Sequence, residues 1–533
     1  MRVLVTETLG DKGLAFLREH AQLDIRKGLS PEELLEIING YEALIVRSRT
    51  IVTTELIAAA PRLLVIGRAG TGVDNIDIEA ATRRGVMVVN APSGNSNAVA
   101  EHTIALILTL ARRIHPAVCS LKKGRWEKGA LQGIEVKGKV LGLIGLGRIG
   151  TLVASKAKGL EMRVVAFDPY VAPKRAASSG IELLPLEQVL ATADFVSVHT
   201  PLTPKTRGMI GEKELGKLKS SAYVLNCARG GIIDEQALKE VLEKEAIAGA
   251  ALDVFDVEPA VGNELVGLQN VIATPHLGAS TAEAQQSVAL DVAQAVIDVL
   301  EGRSPASPVN VPYLPPQAAS FLQPYTDLAR RLGGFLIQWH GESLGRVEMI
   351  YEGHLCKYDT RILTAAFFAG LLSPISDRPV NIVNAANVAN ELGLTVSETS
   401  QERRQHFDSL VTARLPDAKG TCSISGTLIQ GEPHMVSLDG QRLDCVVQGN
   451  MLVDLHHDRP GIVGHMGKVL GSADINISFA QMSRAKRGGQ QIMILGLDET
   501  VPASLMPRFL QSANIQRVRM VSLPPLDGYY DKA

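Results

Sequence analysis

The sequence has few cysteines, almost no net charge and no long hydrophobic run, and each shortage argues against a class of protein. Only five cysteines occur among 533 residues, at positions 119, 227, 356, 422 and 445, and no two of them form a CxxC pair. This spacing argues against a disulfide framework and against a cysteine-based zinc site. We expect reduced thiols and no bound metal.

The balance of charges and the distribution of apolar residues argue against two kinds of partner. There are 54 basic and 56 acidic side chains, so the formal net charge of −2 lacks the basic excess that nucleic-acid binding requires. The longest apolar run, 103–111, is shorter than the roughly 20 residues of a membrane span. The first residues carry no export or transit signal. We therefore expect no nucleic acid, no membrane and a cytoplasmic location.

The length predicts several domains, because single cores rarely grow beyond about 250 residues. Short β-branched runs alternate with helical stretches over 2–91 and again over 140–275. This alternation predicts an α/β fold with two doubly wound parallel-sheet domains. A long helix starting near Ser96 should lead into the second domain, and a helix over 281–300 should return to the first.

The remaining residues predict two further units after a linker. Five prolines between Arg303 and Gln317 disfavour regular structure. Residues 318–445 mix helical and strand-like runs, which predicts an α+β domain, and the order of elements over 449–525 is the βαββαβ ferredoxin-like pattern. The expected division is 1–97 with 285–302, then 98–284, the linker 303–317, 318–445 and 449–525.

A glycine-rich turn is the strongest local motif. Gly145, Gly147 and Gly150 directly follow the apolar strand 140–144 and precede a helical stretch. Glycines at this spacing allow a tight turn and a close approach to a pyrophosphate at a helix N-terminus. Asp168 ends the next strand, where a carboxylate would accept from both ribose hydroxyls and repel a 2′-phosphate. The combination predicts NAD as cofactor.

Three candidate catalytic residues follow successive predicted strands further along. They are Arg229, Glu258 and His276. A histidine suits the removal of a hydroxyl proton, a neighbouring carboxylate can hold its tautomer, and an arginine fork can bind a substrate carboxylate. Each residue alone could be an ordinary turn, surface or core residue. Together they favour hydride transfer between a hydroxy acid and NAD.

Several stretches resemble the D-isomer-specific 2-hydroxyacid dehydrogenases, and most closely the long form of the members that act on D-3-phosphoglycerate. The stretches are GRAGTGVDN at 67–75, the turn at 145–150 with Asp168, VHTP at 198–201, NCARGG at 226–231 with Asp234, and PHLGAST at 275–281. The last unit separately resembles an ACT domain through HDRPG at 457–461 and DINI at 474–477. The resemblance implies a flavodoxin-like substrate domain, a Rossmann NAD domain and an intervening regulatory domain.

The resemblance also implies ligand contacts, position by position. Besides Gly145, Gly147 and Gly150, NAD contacts are expected from Thr71, Arg148, Ile149, Asp168, Thr200, Cys227, Ala228, Arg229, Asp253, His276, Leu277, Gly278 and Ala279. Substrate contacts are expected from Arg47, Arg68, Gly70, Thr71, Gly72, Lys128 and Arg229. The turn at 70–72 can present successive amides to a carboxylate. Effector contacts are expected from Asp458, Arg459, Pro460, Gly461 and Asn476.

The activity that the resemblance implies is NAD-dependent oxidation of D-3-phosphoglycerate to 3-phosphohydroxypyruvate, the first step of L-serine biosynthesis. It further implies a homo-oligomer, either a dimer or a tetramer, and feedback by L-serine through the ACT-like unit. Three alternatives stay open on the sequence. They are a glyoxylate or hydroxypyruvate reductase, an NAD-binding corepressor on the same fold, and an amino-acid sensor with vestigial chemistry.

Overall fold

The computed structural model describes residues 1–341, 344–402, 406–417, 420–484 and 486–526, and these residues form four β-sheets. Parts of the expected unit 318–445, at 342–343, 403–405 and 418–419, lie outside the described residues. The two N-terminal sheets are parallel, and their inner strands are almost wholly buried. Burial on both faces explains why the sequences of these strands are continuous apolar runs.

The first sheet has the strand order β2-β1-β3-β4-β5. Its strands are β1 (Arg2–Val5), β2 (Gln22–Ile25), β3 (Ala43–Val46), β4 (Val65–Arg68) and β5 (Met87–Asn90). The helices between them are α1 (Asp11–His20), α2 (Pro31–Ile37), α3 (Thr54–Ala58) and α4 (Ile78–Arg84). A capping box between Ser30 and Glu33 begins α2, and Gly85 in a left-handed conformation ends α4.

The connection to the second sheet is a pair of helices where the sequence predicts one. Helix α5 (Ser96–Ala111) ends at Ala111, and α6 (Ile114–Lys122) follows after Arg113, whose φ is 51°. Pro116 fits the first turn of α6, but in a continuous helix its ring would clash with the carbonyl of residue 112. Among the described residues no single helix could span a membrane, and α5 with α6 reaches that length only as a pair bent by 66°.

The second sheet has the strand order β12-β11-β10-β9-β6-β7-β8. Its strands are β6 (Val140–Ile144), β7 (Arg163–Phe167), β8 (Glu182–Leu183), β9 (Phe195–Val198), β10 (Tyr223–Asn226), β11 (Gly249–Leu252) and β12 (Val271–Ala273). The helices are α7 (Arg148–Gly159), α8 (Pro173–Ser178), α9 (Leu186–Thr192), α10 (Glu212–Leu215) and α11 (Glu235–Glu243). The short edge strand β8 is the only one of these strands that the sequence pattern missed, since two residues carry no periodicity.

Helix α12 (Ala282–Leu300) returns from the second sheet and packs on the first. Its side chains Val292 and Val296 lie over Gly67 on β4, where a Cβ would stand 2.9 and 2.7 Å from their methyl carbons. The absence of a side chain at Gly67 therefore lets the helix approach the sheet closely. On this packing we propose that 1–97 and 285–302 form one discontinuous domain around 98–284.

The third and fourth sheets form the second half of the chain. The third has the order β14-β13-β15-β16-β17-β18 and the fourth the order β20-β21-β19-β22. The first group of elements is α13 (Pro316–His340), β13 (Arg346–Gly353), α14 (Arg361–Leu372), α15 (Ala385–Glu391), β14 (Thr395–Gln401), β15 (Ser409–Asp417), β16 (Gly420–Ile429), β17 (Glu432–Leu438) and β18 (Gln441–Val446). The last group is β19 (Gly449–His457), α16 (Ile462–Gly471), β20 (Ile477–Met482), β21 (Gln490–Leu497), α17 (Met506–Phe509) and β22 (Ile515–Leu523). The expected fold class is confirmed.

The third and fourth sheets share one hydrophobic core. Met451 and Val453 on β19, Ile492 and Ile494 on β21 and Val521 on β22 are buried in the same cluster as the apolar face of α13. Arg331 in the middle of α13 also donates to the carbonyl oxygens of Val447 at 3.2 Å and Pro524 at 2.6 Å. One face of the ferredoxin-like sheet therefore packs on α13 and belongs to the same core as the third sheet.

This shared core generates a prediction about fragments. Residues 449–526 expressed alone should show no cooperative thermal transition and should bind a hydrophobic dye. Five buried apolar side chains lose their cover in that fragment, at about 1.5–3 kcal/mol each. Residues 312–526 should unfold in one cooperative transition by calorimetry. A cooperative transition in the short fragment would contradict the shared core.

Candidate active site

A cleft of about 1120 Å³ lies between the two parallel sheets, at the carboxyl ends of their strands. Open α/β sheets bind ligands at this position. Most of the residues expected to contact substrate or cofactor line it. They are Arg47, Arg68, Gly70, Thr71, Gly72, Gly147, Arg148, Ile149, Thr200, Cys227, Ala228, Arg229, Asp253, Glu258, His276, Gly278 and Ala279.

Five of the expected contact residues are not among those that line the cleft. They are Gly145, Gly150, Asp168, Leu277 and Lys128. Lys128 begins an exposed 3-10 turn after α6, so the geometry of this chain does not support its expected contact with substrate. The amide of Leu277 is bonded within the protein, as described below. Gly145 and Gly150 belong to the glycine turn, and Asp168 lies beside that turn.

The histidine and the glutamate are paired. His276 Nδ1 lies 2.8 Å from Glu258 Oε2, and Glu258 Oε1 accepts from the Phe255 amide at 3.1 Å. Burial alone would raise the pKa of Glu258, but the hydrogen bond and charge of His276, with the Phe255 amide, hold it below its ordinary value. Glu258 is therefore an anion that fixes the ring through Nδ1. The Nε2 atom is the ring nitrogen left for a ligand in the cleft.

A buried carboxylate holds the loop that carries His276. Asp253 accepts from Thr274 Oγ1 at 2.6 Å, from the Leu277 amide at 2.7 Å and from the Gly278 amide at 2.8 Å. His102 Nε2 on α5 lies 3.3 Å from Asp253 Oδ1. Burial would raise the pKa of Asp253, yet these donors lower it below its ordinary value.

His102 and Thr274 are functional neighbours that sequence reasoning missed. They lie 172 positions apart, and no motif spacing connects a residue on α5 with one after β12. The network shows that Asp253, expected as an NAD contact, also positions the loop at 274–278. Cys227, in the same lining, is not poised for redox chemistry, because burial raises the pKa of its thiol to about 12.

Three arginines meet at the other side of the cleft. Arg229 donates from Nε to Asp74 Oδ2 at 3.0 Å and from Nη1 to the Ala228 carbonyl at 2.6 Å. Burial, together with the charges of Arg229 and Arg47, lowers the pKa of Arg68 to about 10 against the opposing charge of Asp74. The Nε atom of Arg68 is buried without a hydrogen-bond partner. This excess of positive charge favours an anionic ligand.

The turn at 70–72 lines the cleft. The carbonyl of Gly70 accepts from the Ala91 amide at 3.0 Å, and the carbonyl of Thr71 accepts from Asn90 Nδ2 at 2.6 Å. The described residues offer no acceptor to the amides of Thr71 and Gly72. A side chain at Gly70, whose φ is 153°, would collide with the guanidinium of Arg68. The turn therefore suits a ligand carboxylate.

The glycine turn after β6 suits the pyrophosphate of NAD. Gly145 has a φ of 98°, and a Cβ there would stand 2.6 Å from the His199 carbonyl oxygen. A Cβ at Gly147 would meet no atom within 4 Å, so this position opens onto free space at the start of α7. Asp168 lies beside the turn and accepts from the Leu146 amide at 2.8 Å. Thr200 Oγ1 in the cleft lining is buried without a partner.

Four of the expected effector residues, at 458–461, directly precede α16, and the fifth, Asn476, directly precedes β20. Asp458 is held by Arg484 Nη2 at 2.6 Å and by the Gly488 amide at 3.0 Å, so its carboxylate already has partners. Asn476 donates to Asp498 Oδ2 at 2.7 Å. Arg459, Pro460 and Gly461 are exposed. The structure thus brings the segment 459–461 to the surface but leaves the role of all five residues a prediction.

Family comparisons match three parts of the chain. Residues 104–278 match the NAD binding domain of the D-isomer specific 2-hydroxyacid dehydrogenases. Residues 321–439 match the D-3-phosphoglycerate dehydrogenase intervening domain, and residues 450–513 match the ACT domain. These matches confirm the resemblance found in the motifs and the expected cofactor.

Individual relatives match nearly the whole chain. A D-3-phosphoglycerate dehydrogenase of Methanocaldococcus jannaschii is 42% identical over 98% of this chain and 100% of its own length. One from Archaeoglobus fulgidus is 40% identical over 94% of this chain and 95% of its own. The crystal structure of the TT0316 protein of Thermus thermophilus is 38% identical, with a TM-score of 0.54, and covers 58% of this chain and 100% of that one.

Proposed function

The chain belongs to the D-3-phosphoglycerate dehydrogenases, and from this premise we propose how its cleft carries out the reaction. The enzyme oxidises D-3-phosphoglycerate to 3-phosphohydroxypyruvate with NAD⁺, the first step of L-serine biosynthesis. One observation carries the assignment of roles. The paired His276 and Glu258 face the same cleft as the three arginines and the amides of the turn at 70–72.

Each group of residues has one task in this proposal. The amides of Thr71 and Gly72 and the guanidinium of Arg229 hold the substrate carboxylate. Arg47 and Arg68 hold the phosphate. His276 Nε2 takes the proton from the substrate hydroxyl, and Glu258 stabilises the imidazolium that forms. NAD⁺, when bound, supplies the hydride acceptor.

The second prediction tests the reaction and the base together. Wild-type protein should form NADH from D-3-phosphoglycerate and NAD⁺, measured by absorbance, and His276→Ala should lower kcat by about 100- to 10,000-fold because the proton acceptor is gone. His20→Ala, on the surface of α1, is the control and should keep full activity.

The substrate panel separates the alternatives. D-glycerate, D-lactate, and hydroxypyruvate or glyoxylate with NADH should react far more weakly than D-3-phosphoglycerate. Turnover of one of these acids with none of D-3-phosphoglycerate would make the chain another hydroxyacid dehydrogenase. No turnover of any acid would favour the corepressor or the amino-acid sensor.

The third prediction concerns the phosphate. Arg47→Ala should raise KM for D-3-phosphoglycerate by about tenfold or more, because a charged hydrogen bond is lost, and should change KM for D-glycerate less than twofold. Arg49→Ala is the matched control, since Arg49 is exposed and does not line the cleft. Equal effects of Arg47→Ala on both acids would remove the phosphate role.

We also propose a cytoplasmic homo-oligomer, a dimer or a tetramer. An exposed apolar surface on α6 and the residues after it supports the assembly, where Val118 is 45%, Leu121 60% and Trp126 83% exposed. Patches of this kind mark association surfaces. The five free cysteines support a reducing compartment.

Feedback by L-serine through the ACT unit is the proposal for the end of the chain. L-serine would meet the free amides at the start of α16, with Asn476 contacting it from a neighbouring strand in a pair of ACT units. L-serine should slow the intact enzyme and release heat in calorimetry, D-serine should do neither, and Asn476→Ala should weaken both effects. No heat and no change in rate with L-serine would contradict it. The test needs the intact chain because the ACT sheet shares its core with α13.

A further inference from the structure

Asn90, the last residue of β5, supports the turn at 70–72 without lining the cleft. Its Nδ2 donates to the Thr71 carbonyl at 2.6 Å, and the next amide, of Ala91, donates to the Gly70 carbonyl at 3.0 Å. The carbonyl oxygens of Gly70 and Thr71 are thereby hydrogen-bonded on the side of β5. The amides of Thr71 and Gly72, in a turn that lines the cleft, have no acceptor among the described residues.

Asn90 is in turn held by the linker. The Asn90 amide donates to the Ser307 carbonyl at 3.2 Å, and Ser307 Oγ donates to the Asn90 carbonyl. Pro308 pairs with Val89 as an antiparallel bridge, and the Val309 amide donates to the Val88 carbonyl at 2.8 Å. The proline-rich segment is therefore docked along the edge of β5.

The second half of the chain contacts the other end of β5 as well. Asn381 Nδ2 donates to the carbonyl of Gly85, the residue that ends α4 just before β5, at 2.8 Å. The neighbouring side chains of Ile382 and Val383 pack into the core of the first sheet. The strand is thus held at its start by Asn381 of the C-terminal half and at its end by Ser307 of the linker.

We propose that Asn90 is a positioning residue that sets the substrate-binding turn, and that Ser307 ties this residue to the regulatory half of the chain. The proposal rests on the proposed function, because it takes the turn at 70–72 to bind the substrate carboxylate. A displacement of the regulatory half would pull on Ser307. It would then reach Thr71 through a single side chain.

The test replaces the amide donor by a carboxylate of the same size. In Asn90→Asp the carboxylate repels the Thr71 carbonyl, so KM for D-3-phosphoglycerate should rise about tenfold, with kcat and the KM for NAD⁺ changed less than threefold. Hydrogen exchange, followed by mass spectrometry, should become faster at the amides of Gly70 and Ala91, which are both bonded in the native turn.

Asn310→Asp, in the linker segment that docks beside β5, is the matched control. Asn310 Nδ2 donates to the Val86 carbonyl and to Thr82 Oγ1, both at 3.0 Å, away from the turn. It should leave KM and the two amides as in wild type. Equal effects of the two variants would make Asn90 an ordinary structural residue and overturn the proposal, as would an unchanged KM or unchanged exchange in Asn90→Asp.

Ser307→Ala tests the link to the linker. Loss of its hydroxyl should raise the same KM about threefold and quicken exchange at Ala91, and no change in either would overturn the part assigned to the linker. The exchange measurement also separates this proposal from the proposed function. If wild-type protein turned over no acid, the function would fail, and the exchange at Gly70 and Ala91 would still decide the role of Asn90.

Discussion

The buried carboxylate of Asp253 is the interaction on which the active site depends. A charge at 1% exposure is tolerated only where donors replace its water, and here the loop at 274–278 supplies three of them. If the loop moved away, the buried carboxylate of Asp253 would lose these donors and would be left unpaired. This constraint places His276 within 2.8 Å of Glu258. The same carboxylate is joined by His102, so the helix that leads from the first sheet to the second is tied to the reacting histidine.

On the opposite wall of the cleft, charges of the same sign lie close together. Arg68 is largely buried, its Nε has no partner, and two further guanidinium groups lower its pKa. Such a cluster costs stability in the free protein, because like charges are held together, while Asp74 and Glu7 supply opposing charge. In the proposed function, a dianionic or trianionic ligand would remove that cost on binding, which suits an acid carrying a phosphate.

Much of this site could be predicted from the sequence because it is written in local motifs. Arg229, Glu258 and His276 follow strands of one parallel sheet, and such strand ends must meet at one edge. The clamp on Asp253 could not be predicted in the same way. His102 and Thr274 are brought together only by the packing of α5, and neither carries a local pattern. The break between α5 and α6 at Arg113 could not be predicted either, because Pro116 permits a helix start as readily as a helix end.

The linker shows where composition is a poor guide to structure. Five prolines correctly indicate a segment without helix or central strand, but they do not say whether it is free. Here the segment 307–310 pairs with the edge of β5, where the missing amide of Pro308 costs nothing because an edge strand leaves groups unpaired. The two sheets of the C-terminal half share one core around α13, so a displacement of one should carry the other with it. In the proposed arrangement such a displacement would reach the turn at 70–72 through β5, since Asn90 and Ala91 hold the carbonyl oxygens of that turn.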